Sequence, residues 1–346
     1  MDASRLLLFL SPWALEVRQH IPSTTLGVFP FYQTVSRLNY KPDVFNCKLY
    51  GEPISDIASL AYDNSTFSQV ADTRAIDLLQ KSYCKDNVYV MWSGGIDSTV
   101  ALTSIYKNWP VEDLAKLTVL CNSVSIKENP EFFKLIVSKK TKIETSTPRI
   151  EQFLRKGIVV TGELGDQIFG SDIVGQCVKL FGEDVMHKPW QEYAPRYFES
   201  IAANGLQGYE QYKPIVNESL FELKSVYDFF WWLNFTQKWQ HVQLRTLTSK
   251  TWTSPATSFK NLIHFFDTPE FQLWSIHNHH LKIKDTWTSY KFTAKDYVID
   301  YTKDDSFLNK KKVPSLINLY AGYETNWAID ENWNYLDKSQ ALQRLR

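Results

Sequence analysis

Two short stretches concentrate the residues whose types and spacing could do chemistry. The first, Ser93-Gly94-Gly95-Ile96-Asp97-Ser98-Thr99, follows the apolar run Val88 to Trp92 and leads into Val100-Ala101-Leu102. This pattern predicts a strand, a tight turn and a helix start. Two glycines without Cβ let backbone N–H groups approach an anion closely. Ser98 and Thr99 stand where a helix is capped, so the positive helix end faces the same spot, and phosphate is its natural guest. Asp97 repels a bare phosphate, but it is accommodated when Mg²⁺ lies between its carboxylate and phosphate oxygens. A surface turn capped by Asp97 or Ser98 accounts for either residue singly, not for the whole combination. The Lys of the Gly-x-x-x-x-Gly-Lys-Ser/Thr loop is absent, which argues against ordinary γ-phosphate transfer. The second stretch is Thr161-Gly162-Glu163-Leu164-Gly165-Asp166-Gln167-Ile168-Phe169-Gly170, again directly after an apolar run. Its two carboxylates, Glu163 and Asp166, can face one metal-bound ligand together.

These stretches need a scaffold that brings strand ends together. From Val88 onward strand and helix patterns alternate: strands at Val88 to Trp92, Leu117 to Cys121, Thr141 to Glu144 and Gly157 to Thr161, and helices at Asn129 to Val137 and Ile150 to Arg155. Such alternation predicts an α/β fold, a parallel sheet with helices on both faces. Ligands of such sheets gather beyond the carboxyl ends of the strands, where both stretches begin. The chain divides into a small N-terminal region over 1–84, ending in a helical pattern from Val70 to Tyr83, an α/β core over 85–182, and a mainly helical, aromatic-rich region over 183–346. In the last region Tyr227 to Leu244 carries Phe229, Phe230, Trp232, Leu233 and Trp239, an aromatic stripe that reads as core.

Composition excludes several classes. The 346 residues contain 38 Lys plus Arg and 38 Asp plus Glu, so no overall basic field points to nucleic acid. Lys310-Lys311-Lys312 is too short a run to change that. Cys47, Cys84, Cys121 and Cys177 form no C-x-x-C pair, which predicts neither a zinc knuckle nor a redox pair and fits a cytoplasmic, reduced protein. Leu6 to Leu10 follows Asp2 and lacks a cleavage site, and no apolar run approaches the roughly 18 residues that span a bilayer, so no membrane association is expected.

Ser-Gly-Gly-Ile-Asp-Ser-Thr resembles the pyrophosphate loop of the ATP pyrophosphatase (PP-loop) superfamily, in which ATP is split between its α and β phosphates. Gly-Glu-Leu-Gly-Asp-Gln-Ile-Phe-Gly is similar to the Gly-Glu-Gly-Ser-Asp-Glu-Ile-Phe-Gly signature of its asparagine synthetase and β-lactam synthetase branch. The resemblance implies an adenine nucleotide alpha hydrolase-like (HUP-type) core. It implies that Ser93, Gly94, Gly95, Asp97, Ser98 and Thr99 bind ATP and its pyrophosphate, that Asp97 and Asp166 hold Mg²⁺, and that Glu163 orients or deprotonates the attacking amine. His264-Phe265-Phe266-Asp267 resembles the Pro-Phe-x-Asp element of the branch. Phe307 to Pro314 resembles the segment bearing its late catalytic Lys, which favours Lys311 and Lys312 over Lys310.

Departures narrow the expectation. Met1-Asp2-Ala3 offers no glutaminase nucleophile, so ammonia is expected free or from a separate donor protein. Leu164-Gly165 and Gln167 alter the second signature, Lys260 to His264 stands where the branch has an acid, an Arg and a Pro, and the Lys-bearing segment lacks the usual Arg and Gly-Phe. The expected function is an ATP-dependent carbon–nitrogen ligase that adenylates a small carboxylate, releases AMP and pyrophosphate, and passes the acyl group to ammonia or another amine. Two alternatives are adenylation of a nucleobase or deazapurine in nucleic-acid modification, and a catalytically degenerate nucleotide-binding module.

Overall fold

The computed structural model describes residues 6–9, 36–38, 49–146, 150–201, 205–217, 219–247, 259–310 and 328–344. In chain order its main elements are β1 (Leu6–Phe9), α1 (Phe67–Ser82), β2 (Val88–Met91), α2 (Ile96–Asn108), β3 (Leu117–Cys121), α3 (Ser123–Glu128), α4 (Pro130–Ser138), β4 (Lys142–Thr145), β5 (Ile158–Thr161) and α5 (Gly165–Phe169). A helical insertion follows, α6 (Ile173–Phe181), α7 (Trp190–Ile201), α8 (Gly205–Asn217), α9 (Val226–Gln237) and α10 (Trp239–Leu244), before β6 (Leu262–His264), α11 (Pro269–His277), α12 (Phe292–Thr302), β7 (Ala328–Asp330) and β8 (Tyr335–Leu336).

Five strands form one all-parallel sheet in the order β4-β3-β2-β5-β6. Val88, Val90, Val119, Ile158 and Val160 face one side of it and join the large core, while Tyr89, Leu120 and Val159 face the other and pack with Phe153, Leu154, Leu244, Leu247 and Ile329. Strands buried on both faces read as continuous apolar runs, and that is how these runs stood in the sequence. β4 is the exception, an exposed edge strand one residue later than expected. β6 was not foreseen as a strand: its three residues pair with Val159 to Thr161 at the opposite edge of the sheet.

The chain lays β2, β3 and β4 outward in one direction and then returns to place β5 and β6 on the other side of β2. The order therefore reverses between β2 and β5, which lie in register with Met91 opposite Thr161. A crevice opens at such a switch point, because the connections leave in opposite directions. Both chemistry-bearing stretches start there.

The surrounding helices hold this arrangement. α1 begins earlier than the apolar pattern suggested, because Thr66 and Gln69 form a capping box. Its buried Arg74 donates from Nε to the Phe265 carbonyl and from Nη2 to the His264 carbonyl, both at 3.0 Å, fixing the chain beyond β6. The expected helix from Tyr227 to Leu244 is two helices that meet at Lys238, the C-cap of the first and the N-cap of the second. α9 is buried on nearly every face and carries Phe229, Phe230, Trp231 and Trp232 into the core, as a central helix should. A separate three-stranded sheet joins β1, β7 and β8 in antiparallel pairs, so residues near the two ends of the chain lie together.

Candidate functional site

The first turn is built by its own hydroxyls and by what packs on it. β2 runs into Trp92, whose ring lies over Phe132 and whose Nε1 donates to Thr99 Oγ1 at 3.0 Å. The Ser93 amide donates to Ser98 Oγ at 3.1 Å, and the Gly95 amide donates to Ser93 Oγ at 3.2 Å. Thr99 Oγ1 donates in turn to the Gly95 carbonyl at 2.8 Å. Ser98 and Thr99 are therefore buried braces behind the turn, while Ser93, Gly95 and Asp97 face outward. Gly94 has φ +82°, and a Cβ on it would sit 2.4 Å from the Ser125 carbonyl oxygen, so the turn needs glycine for both conformation and space. α2 starts after Gly95 with no side-chain cap, so the positive end of the helix faces this turn.

The second stretch presses directly on the first. A Cβ on Gly162 would lie 2.5 Å from the Ser98 amide nitrogen, and one on Gly165 would lie 2.4 Å from Asp97 Cγ. Leu164 between them takes a left-handed φ of +72° while fully packed, a conformation that costs a non-glycine residue free energy. α9 holds the far side. Asn234 Nδ2 donates to the Asp166 carbonyl at 3.1 Å, and Gln167 Nε2 donates to Asn234 Oδ1 at 3.0 Å.

Among the described residues, Asp97 and Asp166 both bond a cation that sequence reasoning missed. Lys291, at the start of α12, places its Nζ 2.5 and 2.6 Å from the two Asp97 carboxylate oxygens and 2.8 Å from Asp166 Oδ1. Only 1% of the lysine side chain is exposed, against 22% and 29% for the two acids. The Tyr290 hydroxyl approaches the same Asp166 oxygen at 3.4 Å. Neither motif nor spacing marked Lys291. A paired acid cluster in a neutral chain demands a cation, but nothing in the sequence says which of its lysines answers.

Glu163 has two further unforeseen neighbours. The Arg245 guanidinium, just beyond α10, bonds its carboxylate, so a charged partner stands where an apolar wall would have been simplest. Its main chain ends a directed hydrogen-bond path. His264 Nε2 lies 2.7 Å from the Gln243 carbonyl, which can only accept, so Nε2 carries the proton and Nδ1 accepts from the Thr161 hydroxyl at 2.7 Å. Thr161 Oγ1 then accepts the Glu163 amide at 3.2 Å. Burial holds the His264 imidazole below its ordinary pKa, which keeps it neutral as this path requires.

Of the three consecutive lysines, Lys311 and Lys312 lie outside the described residues. Lys310 Nζ donates to the Glu128 carbonyl at 2.9 Å, and burial lowers its pKa to about 8. The Glu128 side chain overhangs the turn, its Cβ 3.0 Å from where a Gly94 Cβ would be, so Lys310 borders the site through Glu128. Among the described residues no three His, Cys, Asp or Glu side chains group as metal ligands, and Cys84, Cys121 and Cys177 are free thiols. No described helix is long and apolar enough to cross a membrane. No protein-family model matches this chain, and neither does any curated protein.

Proposed function

We propose that the chain is an ATP-dependent carbon–nitrogen ligase of the asparagine synthetase-like branch of the PP-loop superfamily, built on an adenine nucleotide alpha hydrolase-like core. One observation carries this above all. Asp97 and Asp166 come from adjacent strand ends at the switch point of a parallel sheet and meet at Lys291, beside an uncapped helix start. Leu164 supports the same conclusion, because it adopts the left-handed backbone at the position where the resembled signature has glycine.

The residues present fit Mg²⁺ that arrives with a nucleotide. Two carboxylates converge within bonding distance of one position, and among the described residues no third acid or imidazole completes a protein cage. Mg²⁺ prefers one or two carboxylates, its own waters and substrate phosphates. Asp97 and Asp166 would hold it, and it would neutralise charge on the polyphosphate.

The chain's own groups then divide the work. The first N–H groups of α2, with Gly95 and the outward-facing Ser93, orient the β and γ phosphates as the leaving pyrophosphate. A substrate carboxylate oxygen bonds to the α-phosphorus as the bond to the bridging oxygen breaks, which gives an acyl-adenylate. Glu163 receives the incoming amine, accepting a hydrogen bond from it and then the proton it loses on attacking the acyl carbon, while AMP leaves. Arg245 steadies that carboxylate through its guanidinium, and the path from Gln243 through His264 and Thr161 fixes its main chain. The substrates are a small carboxylic acid and ammonia or another amine, free or supplied by a separate donor protein.

The test is co-production of AMP and pyrophosphate from Mg·ATP by the full chain, screened over carboxylates, amines and RNA. Carboxylate-dependent AMP and pyrophosphate, abolished in Asp97→Asn and Asp166→Asn, supports the ligase. ADP as product, or dependence on RNA, overturns it.

A further inference from the structure

We propose that Lys291 is a built-in rival of the divalent cation, and that it makes metal binding at Asp97 and Asp166 conditional on a polyphosphate. The inference rests on reading this acid pair as a divalent-cation site. Its ammonium stands at the point on which both carboxylates converge, in contact with three of their oxygens.

The charges explain the dependence. One ammonium between two carboxylates offsets one of their two negative charges. A lone divalent ion entering there would balance the carboxylates, but it would strand a fully buried ammonium beside a like charge. A metal polyphosphate changes the balance, because it brings the ion for the carboxylates and anionic oxygens for the displaced ammonium in one step. Free metal is refused and metal polyphosphate is accepted.

The backbone permits this exchange with movement of the side chain alone. The Lys291 amide donates to the Lys282 carbonyl at 2.8 Å, and its own carbonyl accepts the Lys295 amide at 3.0 Å. The residue sits in the left-handed region at φ +61°, as the N-cap of α12. Around Nζ the walls are the Phe169 ring at 5.8 Å and the Tyr290 ring at 5.4 Å. Among the described residues the two carboxylates are the charged groups that bond it, and Lys295, one turn on, is a like charge near by.

The experiment titrates the full chain with Mn²⁺, with and without ATP, and reads protein-bound ion by electron paramagnetic resonance against protein-free Mn²⁺ and Mn·ATP at the same concentrations. Wild-type chain is expected to leave Mn²⁺ free up to about 1 mM alone and to capture it when ATP is present. Lys291→Met is expected to bind one Mn²⁺ without nucleotide, at least about tenfold more tightly than wild type, and to lose it again when Asp166→Asn is added. Wild-type chain that binds Mn²⁺ equally well with and without ATP overturns the proposal, and this arm needs no variant. A folded Lys291→Met, checked by circular dichroism, that gains no Mn²⁺ affinity also overturns it. If Lys291→Met gains the ion while wild type takes neither Mn²⁺ nor Mn·ATP, Lys291 only excludes the metal, and the polyphosphate-dependent exchange falls together with the ligase. If wild type turns over Mg·ATP while Lys291→Met gains nothing, the exchange falls and the ligase stands.

Discussion

The contact between the two strand-end loops can be tested by adding one methyl group at each of two glycines. In Gly162→Ala the new Cβ would stand 2.5 Å from the Ser98 amide nitrogen and 2.8 Å from both Asp97 C and Ser98 Cα. All three are main-chain atoms in the first turn of α2, so relief requires moving a hydrogen-bonded helix start. Overpacking of this kind costs about 1–3 kcal/mol, and a clash with backbone alone belongs at about 3. In Gly165→Ala the Cβ would instead meet the Asp97 side chain, at 2.4 Å from Cγ and 2.5 Å from Oδ1. That carboxylate can swing away, but only by leaving Lys291, so the cost should be about 2 kcal/mol with the ion pair disturbed. The two glycines should then behave differently when Asp97→Ala is added. Removing Cγ and Oδ1 relieves most of the Gly165→Ala clash, giving a coupling of about 1 kcal/mol or more, and does nothing for Gly162→Ala. Urea unfolding of the two single glycine variants, Asp97→Ala and both double variants measures these apparent differences. A Gly165→Ala protein as stable as wild type, or equal coupling at both glycines, would refute the stated loop geometry.

Glu163→Gln should preserve carboxylate-dependent exchange between pyrophosphate and ATP while amide formation falls about 10²- to 10⁴-fold, and equal loss of both would place Glu163 in nucleotide binding instead. Thr161→Val and His264→Phe should each cost about 1–2 kcal/mol, with the double variant little worse than the costlier single one, because both break one hydrogen-bond path. Additive losses in urea unfolding would mean that the path is not a unit. Burial lowers the His241 imidazole to about 3, from an ordinary 6.5. Between those values the unfolded chain takes a proton that the folded chain refuses, so this residue's contribution is intact above pH 6.5 and falls by about 1.4 kcal/mol per unit as pH drops below it. His241→Gln should therefore flatten the fall in unfolding midpoint between pH 7 and pH 5.5, and an unchanged slope would show that His241 is not buried neutral.

What could be read from the sequence is what local physics writes locally. The glycines of the first turn, the apolar runs that become β2, β3 and β5, and the acids at strand ends all state their role within a dozen residues. Even Gly162, which looks like an ordinary loop glycine, is explained by its neighbour: Met91 pairs opposite Thr161, so the residue after β5 must lie against the start of α2. Lys291 and Arg245 carry no such mark, and the Pro-Phe-x-Asp-like element that holds His264 says nothing of its hydrogen bonds. Each reaches the site from beyond the long helical insertion, and its partner is chosen by how α9, α10, β6 and α12 pack rather than by spacing. The β6 strand was missed for a related reason. Its three residues are too few for a period to emerge, and it is held by Arg74 from α1, almost two hundred residues away in sequence.

The distribution of charge in the site follows from this division of labour. The acids Asp97, Glu163 and Asp166 all come from the strand ends of the α/β core, and the cations that meet them, Lys291 and Arg245, all come from the chain beyond it. Neither half alone leaves these groups in an acceptable state: the acids would face one another at a crevice, and Lys291 would be a buried ammonium without an anion. Electrostatic pairing thus joins the later helices to the sheet at the place where the chemistry is proposed. A ligand that separates those pairs acts on the interface between the two parts of the chain as well as on the site.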